Sequence, residues 1–319
     1  ELGATTSIFP FDDKMTHYLS ATGRDKIANI AEKYKKHLVA DPEVTEQPEK
    51  YYDQVIEIDL STLEPHIVGP HTPDLVRPVS KMAQDAKVND YPMALKVALI
   101  GSCTNSSYED IGRAAHVARQ AKEQGLKTRV PFLITPGSEQ VRATIERDGL
   151  LGDLEAIGAK VLANACGPCI GQWERSDEDK KEKNSIMNSY NSNLPRRNDG
   201  NPNTHSFIAS PEVVTAYALN GSLDQDPIHK GIKLDKGETV IFNPPAASEL
   251  PEKGLIQDKS GFVAPSSDAD SVTVSIDPSS ERLCLLEPFD AADKKEDYSE
   301  LPALIKARGK CTTDHISPA

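Results

Sequence analysis

From residue 96 the chain repeats one pattern, a short apolar run, a loop and an amphipathic segment, and this alternation restricts its fold more than any other feature. Lys96-Val-Ala-Leu-Ile100 reads as a strand, and Tyr108 to Gln124 as a helix closed by Gly125. Thr128 to Thr135 repeats the strand, Pro136-Gly137 the turn, and Ser138 to Leu151 the helix, with Ser138 as its N-cap. Lys160-Val-Leu-Ala-Asn164 is a third strand. Strands alternating with helices at this spacing predict an α/β fold, a parallel sheet with crossover helices. Ligands of such sheets bind outside the carboxyl ends of the strands.

Three of the chain's five cysteines fall at that edge. Cys103 lies in Gly101-Ser-Cys103-Thr-Asn-Ser-Ser107, just past the first strand; Cys166 and Cys169 lie in Leu162-Ala-Asn-Ala-Cys166-Gly-Pro-Cys169-Ile-Gly-Gln-Trp173, just past the third. Gly167 permits unusual backbone angles and Pro168 fixes φ, so both sulfurs can turn toward one point. Cys-Gly-Pro-Cys alone serves as a redox dithiol as readily as half a metal site. A dithiol gives no role to Cys103, nor to Asn105 and Asn164 near the thiols. Structural zinc wants a closed set of four ligands, and the remaining cysteines, Cys284 and Cys311, sit in what read as strand interiors. A [4Fe-4S] cluster on three thiolates would use all three and leave one iron open as a Lewis acid. Cluster, dithiol, zinc and plain buried cysteine all stay open on spacing alone.

The rest of the chain is less regular. Amphipathic helices are expected over Asp12 to Thr22 and Arg24 to Val39, with a break in the Pro-rich stretch 42–48 and a half-buried strand over Gln54 to Leu60. Residues 61–95, with prolines at 65, 70, 73, 78 and 92, read as a long surface connection, and 174–204 as polar and irregular. Ser206 to Ala209 is a strand, Ser210 an N-cap, and Pro211 the first residue of a helix to Asn220. Residues 222–295 hold short strands, and Leu304 to Arg308 would start a separate domain.

A net charge of −13 argues against a nucleic-acid-binding surface. No segment approaches the roughly 20 apolar residues of a spanning helix. Five unevenly spaced cysteines suit a reducing compartment better than a disulfide framework. The opening at Glu1 rather than Met and the close at Ala319 suggest an internal fragment of a longer chain.

The two cysteine motifs, together with Ser189-Tyr-Asn191, Arg197-Asn-Asp-Gly-Asn-Pro202, Thr204-His-Ser-Phe207 and Thr312-Thr-Asp-His-Ile-Ser317, resemble the mitochondrial type of the aconitase family over the whole length. The resemblance implies a [4Fe-4S] hydro-lyase of the tricarboxylic acid cycle, converting citrate to isocitrate through cis-aconitate. It implies Cys103, Cys166 and Cys169 as cluster ligands, Glu1 as an active-site glutamate beside the open iron, Asn191 beside the cluster and Arg197 gripping a substrate carboxylate. His205 and His315 are expected to support the pocket rather than react. By the same resemblance residues 1–60 end a second domain, 61–257 form a third carrying the cysteines, 258–300 are a linker, and 301–319 start a swivelling C-terminal domain. The missing parts would hold the catalytic serine base, so the fragment alone should bind a cluster poorly and catalyse nothing. A monomer in the mitochondrial matrix, acting on a small tricarboxylic acid with no nucleic-acid or membrane partner, completes the expectation.

Ser192 departs from the family, which has an arginine there that binds substrate carboxylate. Losing one charge-assisted hydrogen bond costs about 1.5–3 kcal/mol, on the order of 10- to 100-fold in affinity. A homoaconitase-like dehydratase with a shifted substrate is therefore one alternative. A catalytically silent relative is another, and the RNA-binding behaviour of a cluster-free cytosolic relative a third.

Overall fold

The computed structural model describes residues 6–175, 181–234, 237–258, 262–289, 301–309 and 311. It divides into two units, 1–261 and 262–319. The first begins with two packed helices, α1 (Asp13–Ala21) and α2 (Asp25–Tyr34). Asp12 caps α1 by accepting from the Met15 N–H at 3.0 Å. The expected break at 42–48 contains a short helix, α3 (Pro42–Glu46), whose leading proline gives up no hydrogen bond in the first turn. The strand expected over 54–60 does not form. Val55, Ile56, Ile58 and Leu60 are exposed, because alternation makes a strand only where a neighbour completes the ladder.

Residues 61–95 are part of the core rather than a surface connection. Strands β1 (His66–Val68) and β2 (Val76–Pro78) pair antiparallel, and a 3₁₀ turn leads into α4 (Met82–Val88). Ile67, Val79, Met82 and Ala86 are fully buried. Pro78 is tolerated because β2 is the edge of the sheet.

The alternation then follows: β3 (Leu95–Ile100), α5 (Tyr108–Glu123), β4 (Phe132–Ile134), α6 (Glu139–Arg147), α7 (Leu150–Ala156) and β5 (Ala159–Val161). Ser107 and Asp110 form a capping box at the start of α5, and Ser138 caps α6 through the Val141 N–H at 3.1 Å. β4 is shorter than its apolar run, since Pro131 offers no N–H to the ladder. The single helix expected over 138–151 is broken at Gly149 into two.

The largest departure is β6 (Asn184–Asn188), buried at every residue inside a stretch that reads as irregular. Its polar side chains are satisfied internally: Asn184 Nδ2 donates to Thr204 Oγ1 at 3.0 Å, Ser185 Oγ to the Pro92 carbonyl at 2.7 Å, and Asn188 Nδ2 to Ser206 Oγ at 2.7 Å. It is followed by β7 (Thr204–Ile208), α8 (Pro211–Asn220) and a small pair, β8 (Ile232–Lys233) with β9 (Thr239–Val240). Ser210 stands at the N-cap of α8, but its side chain makes no capping bond.

The sheet runs β2-β1-β7-β6-β3-β4-β5, and its last five strands are parallel. From β3 the chain steps outward to β4 and β5, then crosses back to place β6 on the other side. The crevice between the carboxyl ends of β3 and β6 is thus a topological switch point, where open α/β sheets take their ligands. Pleating sorts β3 between two apolar layers. Ala98 and Ile100 join the main core with α5 and α8, whereas Val97 and Leu99 join a smaller cluster with Ile186, Tyr190 and Cys169.

In the second unit the described residues hold one 3₁₀ turn, Ala269–Ser271. Cys284 and Cys311 lie in no strand and are exposed, contrary to the reading of both as strand interiors. No helix forms over Leu304 to Arg308.

Candidate functional site

Cys103 sits in the loop leaving β3, and that loop is tied to the one leaving β6. Ser189 Oγ accepts from the Gly101 N–H at 3.0 Å and stands 3.0 Å from the Gly101 carbonyl. Asn105 Nδ2 donates to the Ser189 carbonyl at 2.6 Å. Inside the loop, Ser106 Oγ bonds the Ser102 carbonyl. The result is a fixed backbone that leaves Cys103 exposed at the sheet edge.

The second pair of thiols reaches the same place by folding back. After β5 the Leu162 N–H still bonds the Ile134 carbonyl at 2.8 Å, and the chain then enters a 3₁₀ turn, Gly167–Cys169. The Cys169 N–H closes that turn on the Cys166 carbonyl at 2.8 Å. Cys169 is 9% exposed and packs on Val97, Leu99, Ile186 and Tyr190, with Trp173 partly buried beside it. Apolar packing on the smaller sheet face therefore draws this turn across β4 toward β3 and β6.

Burial raises the Cys169 thiol above its ordinary range, and the neighbouring Cys166 and Cys103 add to that rise. A hydrogen bond from Ser102 and the charge of Arg197 work in the opposite direction. Among the described residues, no group of three or more His, Cys, Asp or Glu side chains is arranged to hold a metal ion. An iron–sulfur cluster makes a different demand, since its cysteines bind separate iron atoms around a larger body, and soft thiolates are its ligands. The donor set fits that group in kind.

The loop leaving β6 carries the other expected residues. Asn191 Oδ1 is 3.7 Å from Cys169 Sγ. Ser192 is 6% exposed, and Asn193 Nδ2 donates to the Thr72 carbonyl at 3.1 Å. Arg196 is exposed and left-handed at φ 67. Arg197 has its Nε buried with no hydrogen-bond partner, an arrangement that suits an incoming anion. Glu1 and His315 lie outside the described residues. Asn164 is turned to Glu139, its Nδ2 donating to Oε2 at 2.7 Å.

His205 is buried, with its ring edge-on to His71 at 4.9 Å and to Tyr91 at 5.5 Å. Burial, helped by His71 and Lys183, pushes it down to about 4, so it is neutral at pH 7. Sequence reasoning passed over Ser189 as a clasp, Asn198, and the buried pair of Arg175 with Asp199. Those roles depend on β6, whose polar composition hides it.

The class defined by these features is an α/β protein with a mostly parallel sheet, cysteines at its switch point and the partly buried Arg197 on the loop leaving β6. The family model described as "Aconitase family (aconitate hydratase)" matches residues 1–221, and the chain belongs to that family. It is 54% identical over all 319 residues to the "Aconitate hydratase, mitochondrial" of Gracilaria gracilis, covering 40% of that protein. With the protein of the same name from Saccharomyces cerevisiae the identity is 52% over all 319 residues, again covering 40%. With that of Schizosaccharomyces pombe it is 53%, covering 39%. The chain thus spans about 40% of the length of the curated relatives it matches.

Proposed function

We propose that this chain is the cluster-bearing part of a mitochondrial aconitate hydratase, working within a protein of its relatives' length. Its residues 1–60 then belong to a preceding domain, 61–257 form the cluster domain, 258–300 are a linker, and 301–319 enter the closing domain. The observation that carries this reading is that three loops meet at one crevice: Asn191 Oδ1 lies 3.7 Å from Cys169 Sγ, Asn198 Nδ2 donates to the Pro168 carbonyl at 2.9 Å, and Ser189 Oγ accepts from the Gly101 N–H at the start of the Cys103 loop at 3.0 Å.

Cys103, Cys166 and Cys169 would hold a [4Fe-4S] cluster. When bound, it supplies an iron without a protein ligand, a Lewis acid that favours loss of hydroxide from a hydroxy acid. Arg197 offers charge-assisted hydrogen bonds to one carboxylate of a tricarboxylic acid, its free Nε included. Asn191, held beside Cys169, would present a neutral amide to the same crevice. Ser192 leaves a short hydroxyl where a second guanidinium would bind another carboxylate. Glu1 is assigned to the acid–base chemistry beside the iron by the resemblance alone. His205, neutral and packed, supports the β7 side of the loop and adds no charge.

The test uses the complete protein, reconstituted anaerobically with iron and sulfide and followed by cis-aconitate absorbance. Citrate, isocitrate and homoisocitrate are offered in turn. Turnover of citrate and isocitrate supports the reading; turnover of homoisocitrate alone replaces it with the shifted dehydratase. A loaded cluster with no turnover on any of them overturns the enzymatic assignment.

A further inference from the structure

The turn carrying Cys166 and Cys169 and the loop carrying Arg197 are far apart in sequence, yet they are joined by separate ties. Asn198 Nδ2 donates to the carbonyl of Pro168, the residue just before Cys169, at 2.9 Å with both groups buried. Arg175 and Asp199 form an ion pair at 3.1 Å, and both side chains are 1% exposed. That pair is anchored on each side. Arg175 Nη1 also donates to Asn184 Oδ1 of β6 at 2.9 Å, and its guanidinium stands 5.5 Å from the Trp173 ring. Asp199 accepts from Thr204 Oγ1 at 2.6 Å and from the Asn201 N–H at 3.0 Å. The two backbones also touch, since a Cβ on Gly171 would stand 3.0 Å from the Arg196 carbonyl.

Stability alone explains these groups poorly. A buried ion pair is often replaced by apolar residues at no loss. The Oδ1 of Asn198 is buried with no partner, a cost that an apolar side chain of similar size would avoid. What the ties do accomplish is geometric: they hold the backbone next to Arg197 at a fixed offset from the turn that carries Cys169.

We infer that Asn198, braced by the Arg175 and Asp199 pair, is a positioning residue that couples the Cys166–Cys169 turn to the Arg197 loop, so that occupation of either is felt by the other. The inference rests on the proposed function for the identity of the two occupants. Such coupling is reciprocal: a carboxylate on Arg197 steadies the thiol turn as much as a loaded turn steadies the carboxylate.

The experiment measures bleaching of the cluster's visible absorbance in air, with and without saturating citrate, in the reconstituted complete protein. The ratio of the two half-lives is the protection factor. Asn198→Ala and Asn198→Asp both remove the donor at neutral pH, and Leu194→Ala on the exposed part of the same loop is the control. Expected is full cluster loading in all forms, with a protection factor about fivefold lower in both Asn198 variants, the weight of one hydrogen bond, and unchanged in the control. An unchanged factor in folded Asn198 variants overturns the inference, because a merely structural residue would shift melting and leave the ratio alone. If neither variant folds, Arg175→Lys reads the same brace, with a lowered factor supporting the inference and an unchanged one refuting it. A wild type that takes up no cluster defeats the proposed function itself, and the inference with it. A wild type that loads a cluster but gains no protection from citrate defeats the coupling alone.

Discussion

The hydroxyl of Ser189 clasps Gly101 by both backbone groups, accepting from its N–H and lying 3.0 Å from its carbonyl, across 88 residues of sequence. This contact joins the ends of β3 and β6, and so sets the width of the crevice at the switch point. Among the described residues, Cys103, Asn191, Ser192 and Arg197 follow those two strand ends, and Cys169 packs against them.

Ser189→Ala should therefore destabilise the protein by about 1–3 kcal/mol, the cost of leaving a buried N–H unsatisfied. Urea denaturation at pH 7 measures this as a lower midpoint with an unchanged slope. A midpoint equal to wild type would mean that water or a neighbour replaces the hydroxyl, and the clasp would lose its assigned weight.

Two glycines beside the site are required by space. A Cβ on Gly69, at φ +109, would clash with Asn193 Nδ2 and meet the Ser206 carbonyl at 2.6 Å. On Gly101 it would meet Tyr190 Cε1 at 2.8 Å. Each change to alanine should cost about 1–3 kcal/mol by overpacking. Gly69→Ala is expected to be the more costly, because its conformation is also strained for an L side chain. Comparable melting of Gly69→Ala and Gly152→Ala, where a Cβ meets nothing within 4 Å, would contradict this.

Much of this arrangement was legible in the sequence, and the unread part has a common cause. The strands β3 and β5, the helices α5 and α8, and the capping of α6 by Ser138 follow from apolar runs and caps that act locally. β6 was missed because Asn184, Ser185 and Asn188 look like loop residues until their cross-strand partners are known. The opposite error occurred at 54–60, where alternation promised a strand and no neighbouring strand exists among the described residues. The thiols could be placed at the carboxyl edge from spacing. Their approach to Arg197 could not, because it depends on β6 and on the folding back of the Cys166–Cys169 turn.

His205 gives the protein an acid limit. Its ordinary value is 6.5, and in the fold it is pushed down to about 4, chiefly by burial, with His71 and Lys183 contributing. The unfolded chain then binds a proton at His205 between these values and the folded chain does not, so stability rises with pH across that interval. The contribution is complete above pH 6.5 and is lost as pH falls toward 4. At about 1.4 kcal/mol per unit it amounts to on the order of 3 to 4 kcal/mol. In His205→Phe the slope of unfolding free energy between pH 4 and 6.5 should be shallower by about one proton. An identical slope would place the proton uptake elsewhere.

Ser192→Arg should restore a carboxylate partner. The expected outcome in the reconstituted complete protein is a 10- to 100-fold lower KM for citrate, on the order of 1.5–3 kcal/mol of charge-assisted hydrogen bonding. No change would mean that another group already serves that carboxylate.

The most direct test of the thiol assignment is iron and sulfide content after anaerobic reconstitution of the complete protein, with each of the five cysteines of this chain replaced by serine in turn. Cys103→Ser, Cys166→Ser and Cys169→Ser should each lose the four-iron cluster and its visible absorbance, whereas Cys284→Ser and Cys311→Ser should keep both. A full cluster in any of the first three, or its loss in either of the last two, would contradict the assignment of the site.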